Sequence, residues 1–324
     1  MKKILVTGAT GFVGRSLIPY LVQTSYSVRA AVRNPSNLST SVDLPAEVEL
    51  VWVGDLSPQT DWRSALTDVN TIIHLAARAH ILQETSLNPK LDFYRINTES
   101  TSNLVRQASI AGVKQFIFIS SIGAMTTLSE DILTEDSSCS PDTAYGLSKL
   151  RAEHAVVEIA SKSSMEWTIL RPTLVYGPRN PGNMGRLFDL VDRGIPLPFA
   201  SIHNRRSLIY VHNLVNAIIT CINNPKAFKK TFILSDGEDV STPYLIRRIA
   251  RSLDRPVRLI PIPVDWLKLL GKLIGRSIAI DRLVGSLAVD ISCIRNTLNW
   301  NPPHTLDNGL KATANWYLDR PSHL

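Results

Sequence analysis

The sequence predicts an α/β fold, a Rossmann-type doubly wound parallel sheet followed by a smaller C-terminal α/β lobe. Two observations predict it. Short apolar runs alternate with segments long enough for a crossover helix through the first half of the chain. The first run, KILVT at 3–7, leads through a Gly-rich turn into the helical pattern RSLIPYLVQT. Such alternation is typical of βαβ units that build a parallel sheet.

Six runs with the composition of a buried strand occur before the pattern changes. The runs are KILVT (3–7), SVRAAV (27–32), VELVWV (48–53), TIIHLAA (71–77), QFIFISS (115–121) and WTILRP (167–172). Residues 178–205 are then rich in Pro, Gly and Asn, as expected of a loop region over a site. We therefore predict a Rossmann domain over 1–177 and a smaller lobe over 178–324.

The predicted second lobe mixes strands and helices. LIYVH and TFILSD have strand composition and could return to the first sheet. NLVNAIITCI, STPYLIRRIARSL and TLDNGLKATANWYL have helical spacing. The stretch at 264–280 is amphipathic and basic, so it fits either a membrane-surface helix or a helix over the ligand cleft, and we favour the second.

Composition indicates a globular protein with an anionic ligand. Hydrophobic residues make up 44% of the 324 and charged residues 19%, and the net charge is +7. Because no Lys/Arg run is present and aromatics are not interleaved with bases, we expect a nucleotide-sized ligand and no nucleic acid. The three cysteines are far apart and show no metal-ligand spacing, which predicts reduced thiols in the cytoplasm and no metal. The sequence has no run of about 18 apolar residues, so we predict that no segment spans a membrane.

The turn TGATGFVG (7–14) predicts a dinucleotide site. Gly8 allows the tight turn, Gly11 lets the backbone approach a pyrophosphate, and Gly14 lets helix and strand pack closely. Phe12 and Val13 begin the helix whose N-terminus then meets the phosphates. The spacing is G-x-x-G-x-x-G, which differs from the G-x-G-x-x-G of many dehydrogenases.

The strand ends that follow predict the rest of the cofactor site. The second strand ends in Arg33 and offers no acid for a ribose 2′-hydroxyl, which favours NADP over NAD; a solvated surface arginine is the alternative. Asp55, followed by Leu56, could bind the adenine amino group or cap the next helix.

Small or rigid residues complete the predicted cofactor contacts. The fourth strand ends in Leu75, Ala76 and Ala77, whose size lets a ribose pass close to the backbone. Pro172, at the end of the sixth strand, is included in the same site.

Ser121, Tyr145 and Lys149 form the predicted catalytic group. Ser121 ends the fifth strand at the carboxyl edge of the sheet, where ligands bind in such folds. Tyr145 and Lys149 lie one helical turn apart, so a lysine ammonium could lower the pKa of the phenol. The phenol could then exchange a proton with an alcohol oxygen while hydride moves, and the serine would orient that oxygen.

These motifs resemble a known family. TGATGFVG, HLAA, SSIGA, YGLSK and RPTLVYGP, in this order, resemble the extended short-chain dehydrogenase/reductases over essentially the whole chain. LAARAH, NRRSLIYVHNLVNAI and GSLAVDIS with LNWNPP resemble the UDP-glucose 4-epimerase-like branch, which includes UDP-N-acetylquinovosamine dehydrogenases. The resemblance implies a nucleotide-sugar-binding C-terminal lobe, Ser121, Tyr145 and Lys149 as catalytic residues, and a homodimer.

The resemblance also implies substrate contacts, with two departures from the family pattern. Ile122, Gly123 and Ala124 stand where 4,6-dehydratases carry an Asp-Glu pair, which argues against dehydration, and Leu174 replaces a substrate-binding Asn. Arginine suits a diphosphate, and Arg205 competes with Arg206 for that role. The predicted substrate-binding residues are His80, Ser121, Asn183, Arg206 and Arg282.

The function predicted from these residues is NAD(P)-dependent redox chemistry at carbon 4 of a UDP-sugar. We expect reduction of a UDP-4-keto-6-deoxy-N-acetylhexosamine in surface-polysaccharide synthesis, with a UDP-glucose or UDP-N-acetylglucosamine 4-epimerase as the alternative. A reductase of a non-nucleotide ketone would have no use for a diphosphate clamp. A non-catalytic NADP sensor would not need the Tyr-Lys pair.

Overall fold

A computed structural model describes residues 2–24, 26–33, 44–79, 87–273 and 275–320. Seven strands form the main sheet: β1 (Lys3–Thr7), β2 (Ser27–Val32), β3 (Glu49–Trp52), β4 (Val69–His74), β5 (Gln115–Ile119), β6 (Glu166–Pro172) and β9 (Lys230–Leu234). Their order is β3-β2-β1-β4-β5-β6-β9, and every neighbouring pair is parallel. The predicted doubly wound sheet is therefore confirmed.

A small second sheet lies in the C-terminal part of the described chain. It contains β7 (Leu174–Tyr176), β8 (Arg206–Tyr210) and β10 (Asp239–Val240) in the order β10-β8-β7. β7 and β8 are parallel, whereas β8 and β10 are antiparallel. Arg206 is the first residue of β8 and therefore lies in this second sheet.

Twelve α-helices are described. They are α1 (Phe12–Val22), α2 (Arg63–Leu66), α3 (Pro89–Phe93), α4 (Ser100–Ile110), α5 (Ala144–Ser161), α6 (Asn183–Asp192), α7 (Val211–Cys221), α8 (Thr242–Ser252), α9 (Val264–Leu273), α10 (Ser277–Val284), α11 (Ser292–Leu298) and α12 (Leu306–Asp319). A π-helical turn, Tyr94–Glu99, joins α3 to α4, and a 3₁₀ turn, Ile122–Ala124, follows β5.

Helices cover both faces of the main sheet, as its apolar strands require. On one face Ile117 of β5 packs in a cluster with Leu17 of α1 and Leu214 of α7. On the other face Phe116 packs in a cluster with Leu104 of α4. All five residues of β5 are buried, so its carboxyl end is held rigidly where Ser121 begins the site.

The chain crosses between the two sheets near the predicted boundary. β9, from the predicted strand TFILSD, lies at the edge of the main sheet beside β6. The predicted strand LIYVH (208–212) is shifted by two residues, because β8 runs from Arg206 to Tyr210 and Val211 begins α7. The division at 177/178 stays a prediction, with β7 and β9 each lying in the sheet of the other part.

The predicted helical stretch at 264–280 is two helices. α9 ends at Leu273 and α10 begins at Ser277. Gly275 between them has φ +67°, a left-handed conformation that suits glycine. Among the residues that the structure describes, no helix is long and apolar enough to cross a bilayer.

The Gly-rich turn follows β1. The chain extends the sheet from β1 first on one side, with β2 and β3, and then on the other side, starting with β4. A Cβ on Gly14 would lie 2.3 Å from the carbonyl oxygen of Gly8 and 2.5 Å from that of Ala9. The third glycine therefore lets α1 pack directly on the turn, as the sequence argument expected.

We predict that Gly14→Ala destabilises the protein by about 1–3 kcal/mol, since the new methyl group overlaps backbone atoms that cannot move independently. The measurement is urea unfolding without cofactor. Gly185→Ala is the matched control, because its Cβ would meet its nearest neighbouring atom at 3.8 Å. Equal unfolding midpoints for Gly14→Ala and the parent protein would contradict the close packing described.

Candidate active site

Ser121 and Tyr145 meet just beyond the carboxyl end of β5. Ser121 caps the 3₁₀ turn, and its Oγ accepts a hydrogen bond from the N–H of Gly123 (3.1 Å). Thr143 caps α5 by accepting from the N–H of Gly146 (3.0 Å), which places Tyr145 in the first turn of that helix. The two side chains lie beside the same residue of the turn, since a Cβ on Gly123 would be 3.3 Å from Ser121 Oγ and 3.9 Å from Tyr145 Cδ1. The two hydroxyls can therefore act on one substrate oxygen.

Gly146 allows this meeting. A Cβ at that position would lie 2.0 Å from the carbonyl oxygen of Gly123. Only a glycine lets the start of α5 touch the turn that carries Ser121. The glycine of YGLSK thus has a packing reason that the sequence pattern alone did not reveal.

Tyr145 is partly buried, and burial raises the pKa of its phenol, while the nearby Ser121 side chain acts in the opposite direction. The sequence argument expected Lys149 to lower this pKa, and that lowering is not found. The physical reason is the direction of Lys149. Its Nζ donates to the carbonyl oxygen of Ile119 (2.7 Å) and lies 4.0 Å from the ring centre of Phe118.

Lys149 is 1% exposed, and its burial lowers the pKa of its ammonium to about 7. Glu153, one helical turn further along α5, acts in the opposite direction. The lysine therefore titrates near neutral pH, so small changes around it alter its charge.

Glu153 belongs to a buried ionic network that the sequence argument missed. Arg171 Nε donates to Glu153 Oε1 (3.0 Å), and its Nη2 donates to Oε2 (2.6 Å). Ser120 Oγ also donates to Glu153 Oε1. The network ties α5 to β6 and to the end of β5. Its sequence signal is an acid four residues after Lys149, together with an arginine inside an otherwise apolar strand.

Asn97 is a second residue that the sequence argument missed. It lies in the π-helical turn, a feature that is frequent at functional sites. Its Nδ2 donates to Ser148 Oγ (3.0 Å), and its Oδ1 accepts from the N–H of Arg78 (2.7 Å). Ser148 Oγ donates to the carbonyl oxygen of Tyr145 (2.7 Å). Asn97 thus links the segment after β4 to the first turn of α5.

His74, the last residue of β4, is also buried. Its Nδ1 is hydrogen bonded to Thr7 Oγ1 (2.7 Å) and its Nε2 to Thr101 Oγ1 (2.9 Å). Burial first, and the charge of Lys149 second, lower the pKa of this imidazole to about 3. A neutral histidine therefore braces the end of β4 against the Gly-rich turn.

The predicted phosphate cradle is narrow. Gly8 has φ +69°, and a Cβ there would lie 2.8 Å from the backbone nitrogen of Ala76. The N–H of Leu75 donates to the carbonyl oxygen of Thr7 (3.2 Å). Phe12 begins α1 with Gly11 as its N-cap, and no acid lies in its first turn to repel a phosphate. The residues present therefore fit a dinucleotide pyrophosphate.

The remaining predicted cofactor residues lie at the same edge of the sheet. Val13 and Gly14 are in the first turn of α1, and Pro172 ends β6. Ala77 follows β4, and Leu56 packs under the loop after β3. Arg33 and Asp55 are both well exposed, with Arg33 Nη1 3.8 Å from Asp55 Oδ1.

The predicted substrate residues are less closely grouped. His80 lies outside the described residues. Asn183 is exposed and begins α6. Arg206 begins β8, where burial first and neighbouring Arg282 second lower the pKa of its guanidinium. Arg205 instead points to an ion pair with Asp239 (2.8 Å), which separates its environment from that of Arg206.

Metal ligands are not gathered in the part of the chain that the structure describes. It contains no group of three or more His, Cys, Asp or Glu side chains that could hold an ion.

Comparison with known proteins assigns the family. Residues 4–234 match the model of the NAD dependent epimerase/dehydratase family. The chain belongs to this family. It is 45% identical over 322 residues to a UDP-glucose 4-epimerase of Vibrio cholerae, a match that spans 98% of this chain and 96% of the relative.

Two further relatives support the assignment of fold and branch. An N-acetyl-alpha-D-glucosaminyl-diphospho-ditrans,octacis-undecaprenol 4-epimerase of Escherichia coli O157:H7 is 26% identical over 97% of this chain and 94% of the relative. The crystal structure of UDP-glucuronic acid 4-epimerase from Bacillus cereus in complex with NAD has the same fold, with a TM-score of 0.78, 22% identity and 98% of both chains covered. The resemblance to the UDP-glucose 4-epimerase-like branch is confirmed.

We predict that His74 makes the fold acid-sensitive. A folded pKa near 3 against an unfolded value of 6.5 means that the unfolded chain binds the extra proton between these values. Above about pH 6.5 the protonation of His74 therefore does not lower the free energy of unfolding. Below that pH it lowers the free energy of unfolding by up to about 1.4 kcal/mol per pH unit.

The measurement compares urea unfolding of the parent and His74→Asn between pH 7.5 and pH 4 at about 0.15 M salt. We expect the parent to lose stability more steeply than the variant as pH falls. The comparison at pH 7.5 isolates the packing cost of the substitution. Parallel pH profiles would show that another group dominates acid unfolding.

Proposed function

We propose that this protein is an NAD-dependent 4-epimerase of a UDP-hexose such as UDP-glucose or UDP-N-acetylglucosamine. The observation that carries the redox chemistry at carbon 4 is that Ser121 and Tyr145 lie beside each other at the carboxyl edge of the sheet, with buried Lys149 one turn further along α5. The near-full-length similarity to the Vibrio cholerae UDP-glucose 4-epimerase supports this substrate and reaction above the net reduction expected from the sequence.

The proposed roles follow from the geometry. Tyr145 as the phenolate, which the positive charge of a bound oxidised nicotinamide would favour, takes the proton of the 4-hydroxyl when hydride leaves carbon 4, and the resulting phenol returns that proton when hydride comes back to the other face. Ser121, beside the same phenol, holds the sugar oxygen in place. A bound nicotinamide supplies the hydride acceptor and donor. Glu153 favours the charged form of Lys149 beneath these groups.

NAD is the cofactor of this proposal. The matching family is described as NAD dependent. Arg33, from which the sequence favoured NADP, lies near Asp55, whose carboxylate would repel a 2′-phosphate. The NADP preference stays a prediction, and identification of the bound nucleotide decides it.

Arg206 and Arg282 are proposed to hold the diphosphate of the substrate. Each carries a guanidinium whose fork suits phosphate oxygens. Their mutual repulsion is part of what lowers the pKa of Arg206, so an anion between them would relieve it. Asn183 at the start of α6, His80 and the implied homodimer stay predictions of the resemblance.

The 4-ketoreductase remains a second candidate, favoured by the absence of an acid at the end of β2. An epimerase benefits from keeping its cofactor, because a released keto-sugar could not be reduced again. A reductase must exchange its cofactor in every cycle.

We predict that the purified protein releases close to one NAD per chain on denaturation. We also expect it to interconvert UDP-glucose or UDP-N-acetylglucosamine with the galacto epimer without added cofactor. The measurements are mass spectrometry of the released nucleotide and chromatography of the UDP-sugars. Little retained nucleotide, with stoichiometric consumption of NADPH on a UDP-4-keto-6-deoxy sugar, would establish the reductase instead.

We predict that Tyr145→Phe lowers turnover by at least about 100-fold, the usual size of a general acid–base effect, while cofactor binding persists. Tyr244→Phe, on the exposed side of α8, is the matched control and should keep parental activity. Released NAD is quantified for both variants. Near-parental turnover of Tyr145→Phe would remove the phenol from the mechanism.

A further inference from the structure

Exposed apolar side chains concentrate on α9 and the start of α10. Among the described residues, ten large apolar side chains are more than half exposed, and five of them lie within residues 266–278. Their exposed fractions run from 52% to 75%. These five are Trp266, Leu269, Leu270, Leu273 and Ile278. Such a concentration differs from the scattered single exposures that are normal on a protein surface.

Four of the five form one stripe along α9. Positions 266, 269, 270 and 273 have the spacing i, i+3, i+4 and i+7, which lies along one side of a helix. We call these four residues the apolar stripe. A different side of α9 carries Leu267 and Gly271, which are buried. A Cβ on Gly271 would lie 2.8 Å from Ile280 of α10, so this second side is the one that packs on the protein.

Basic residues border the apolar stripe. Lys268 and Lys272 are exposed and one turn apart, and the helical period places them between the stripe and the buried side. Arg276 is exposed in the connection to α10. The segment 264–282 carries four basic and two acidic residues, within a chain of net charge +7.

We propose that the apolar stripe docks on the anionic surface of a phospholipid bilayer. The stripe enters the boundary between headgroups and acyl chains, and Lys268 and Lys272 meet lipid phosphates. Trp266 suits this depth, because an indole has an apolar body and a polar N–H. The protein attaches by one face and does not span the bilayer.

A second copy of the chain fits the stripe less well. A two-fold interface would bring two sets of Lys268 and Lys272 near each other, and like charges at close range repel. The stripe presents four residues, whereas a stable interface uses roughly 20–30 residues a side.

The docking helix is connected to the proposed diphosphate clamp. α10 packs on α9 and carries Arg282, whose charge is felt by Arg206. Docking through α9 would therefore hold the clamp on the side of the protein that faces the lipid. This inference does not depend on the proposed epimerase activity, and its test needs no substrate.

The experiment is co-sedimentation of the full chain with sucrose-loaded vesicles. One set is pure phosphatidylcholine, and the other contains about a third phosphatidylglycerol, each at about 0.05 M and 0.5 M salt. We expect binding to the anionic vesicles at low salt, at least about tenfold weaker binding to the neutral ones, and weakening by salt. The double variant Leu269→Gln, Leu273→Gln should lose at least about tenfold in partitioning.

Matched controls separate the stripe from general apolar exposure. Leu50→Gln with Leu318→Gln removes two exposed leucines from β3 and α12 and should bind vesicles like the parent. Lys268→Gln with Lys272→Gln should reduce binding at low salt only. Tryptophan emission of the parent should shift to the blue on vesicles, and Trp266→Phe should lose that shift.

Three results would overturn the proposal. The parent protein could fail to sediment with anionic vesicles, or the stripe variant could bind them as tightly as the parent. Alternatively, sedimentation velocity could show that the stripe variant converts a dimer to a monomer, which would make the stripe an interface between copies. A urea-unfolding midpoint equal to that of the parent would show that the stripe variant is folded.

Discussion

The buried ion pair between Glu153 and Arg171 is the constraint on which the site depends. The exposed fractions of the two side chains are 3% and 9%, and three hydrogen bonds join them. Removing one partner of such a pair costs about 3–5 kcal/mol, because a buried charge is left alone. The pair joins α5, which carries Tyr145 and Lys149, to β6. Since Ser120 donates to the same carboxylate, the end of β5 is fixed by the same network. The geometry of Ser121 relative to Tyr145 therefore rests on a charge pair beneath the reacting groups.

This constraint also explains the unusual state of Lys149. The lysine is as buried as a core leucine, and its charge is stabilised by Glu153, by the carbonyl oxygen of Ile119 and by the ring of Phe118. The pKa near 7 follows from that balance. Asn97, placed by the π-helical turn, holds the backbone of the same helix from the other side. The first turn of α5 is thus fixed from β6, from β5 and from the segment after β4, which is how a loop-edge site acquires rigidity.

The sequence sufficed for the parts of the molecule that local chemistry determines. Apolar strands and the Gly-rich turn predicted the main sheet, and a strand end with a helix start predicted where Ser121 and Tyr145 lie. Residues that act through distant partners were missed. In the sequence Glu153 looks like an ordinary acidic residue of a helix, and only the structure places Arg171 of β6 beside it. In the same way His74 looks like an ordinary strand residue, and only the structure places Thr101 beside it. The direction of the Lys149 side chain could not be predicted from the sequence either, because the spacing of residues along a helix predicts the position of Cα but not that of Nζ. The single helix expected at 264–280 was divided at Gly275, which composition alone does not reveal.

The choice between epimerase and reductase is not made by the catalytic residues. Both reactions need a phenol that exchanges one proton with an oxygen on carbon 4, and Ser121 and Tyr145 serve either. The difference is the lifetime of the cofactor on the protein, which the cradle and the strand ends determine. Gly8 packs directly against Ala76, with no room for a side chain between the turn and the end of β4. At the adenosine end, exposed Arg33 and Asp55 face each other across the ends of β2 and β3 and offer one charge of each sign. A 2′-phosphate would gain from the first and lose to the second, whereas a ribose hydroxyl can use the carboxylate. The Asp55 carboxylate at that strand edge is therefore the feature that supports NAD in the proposed function, and Arg33 is the feature that supports NADP.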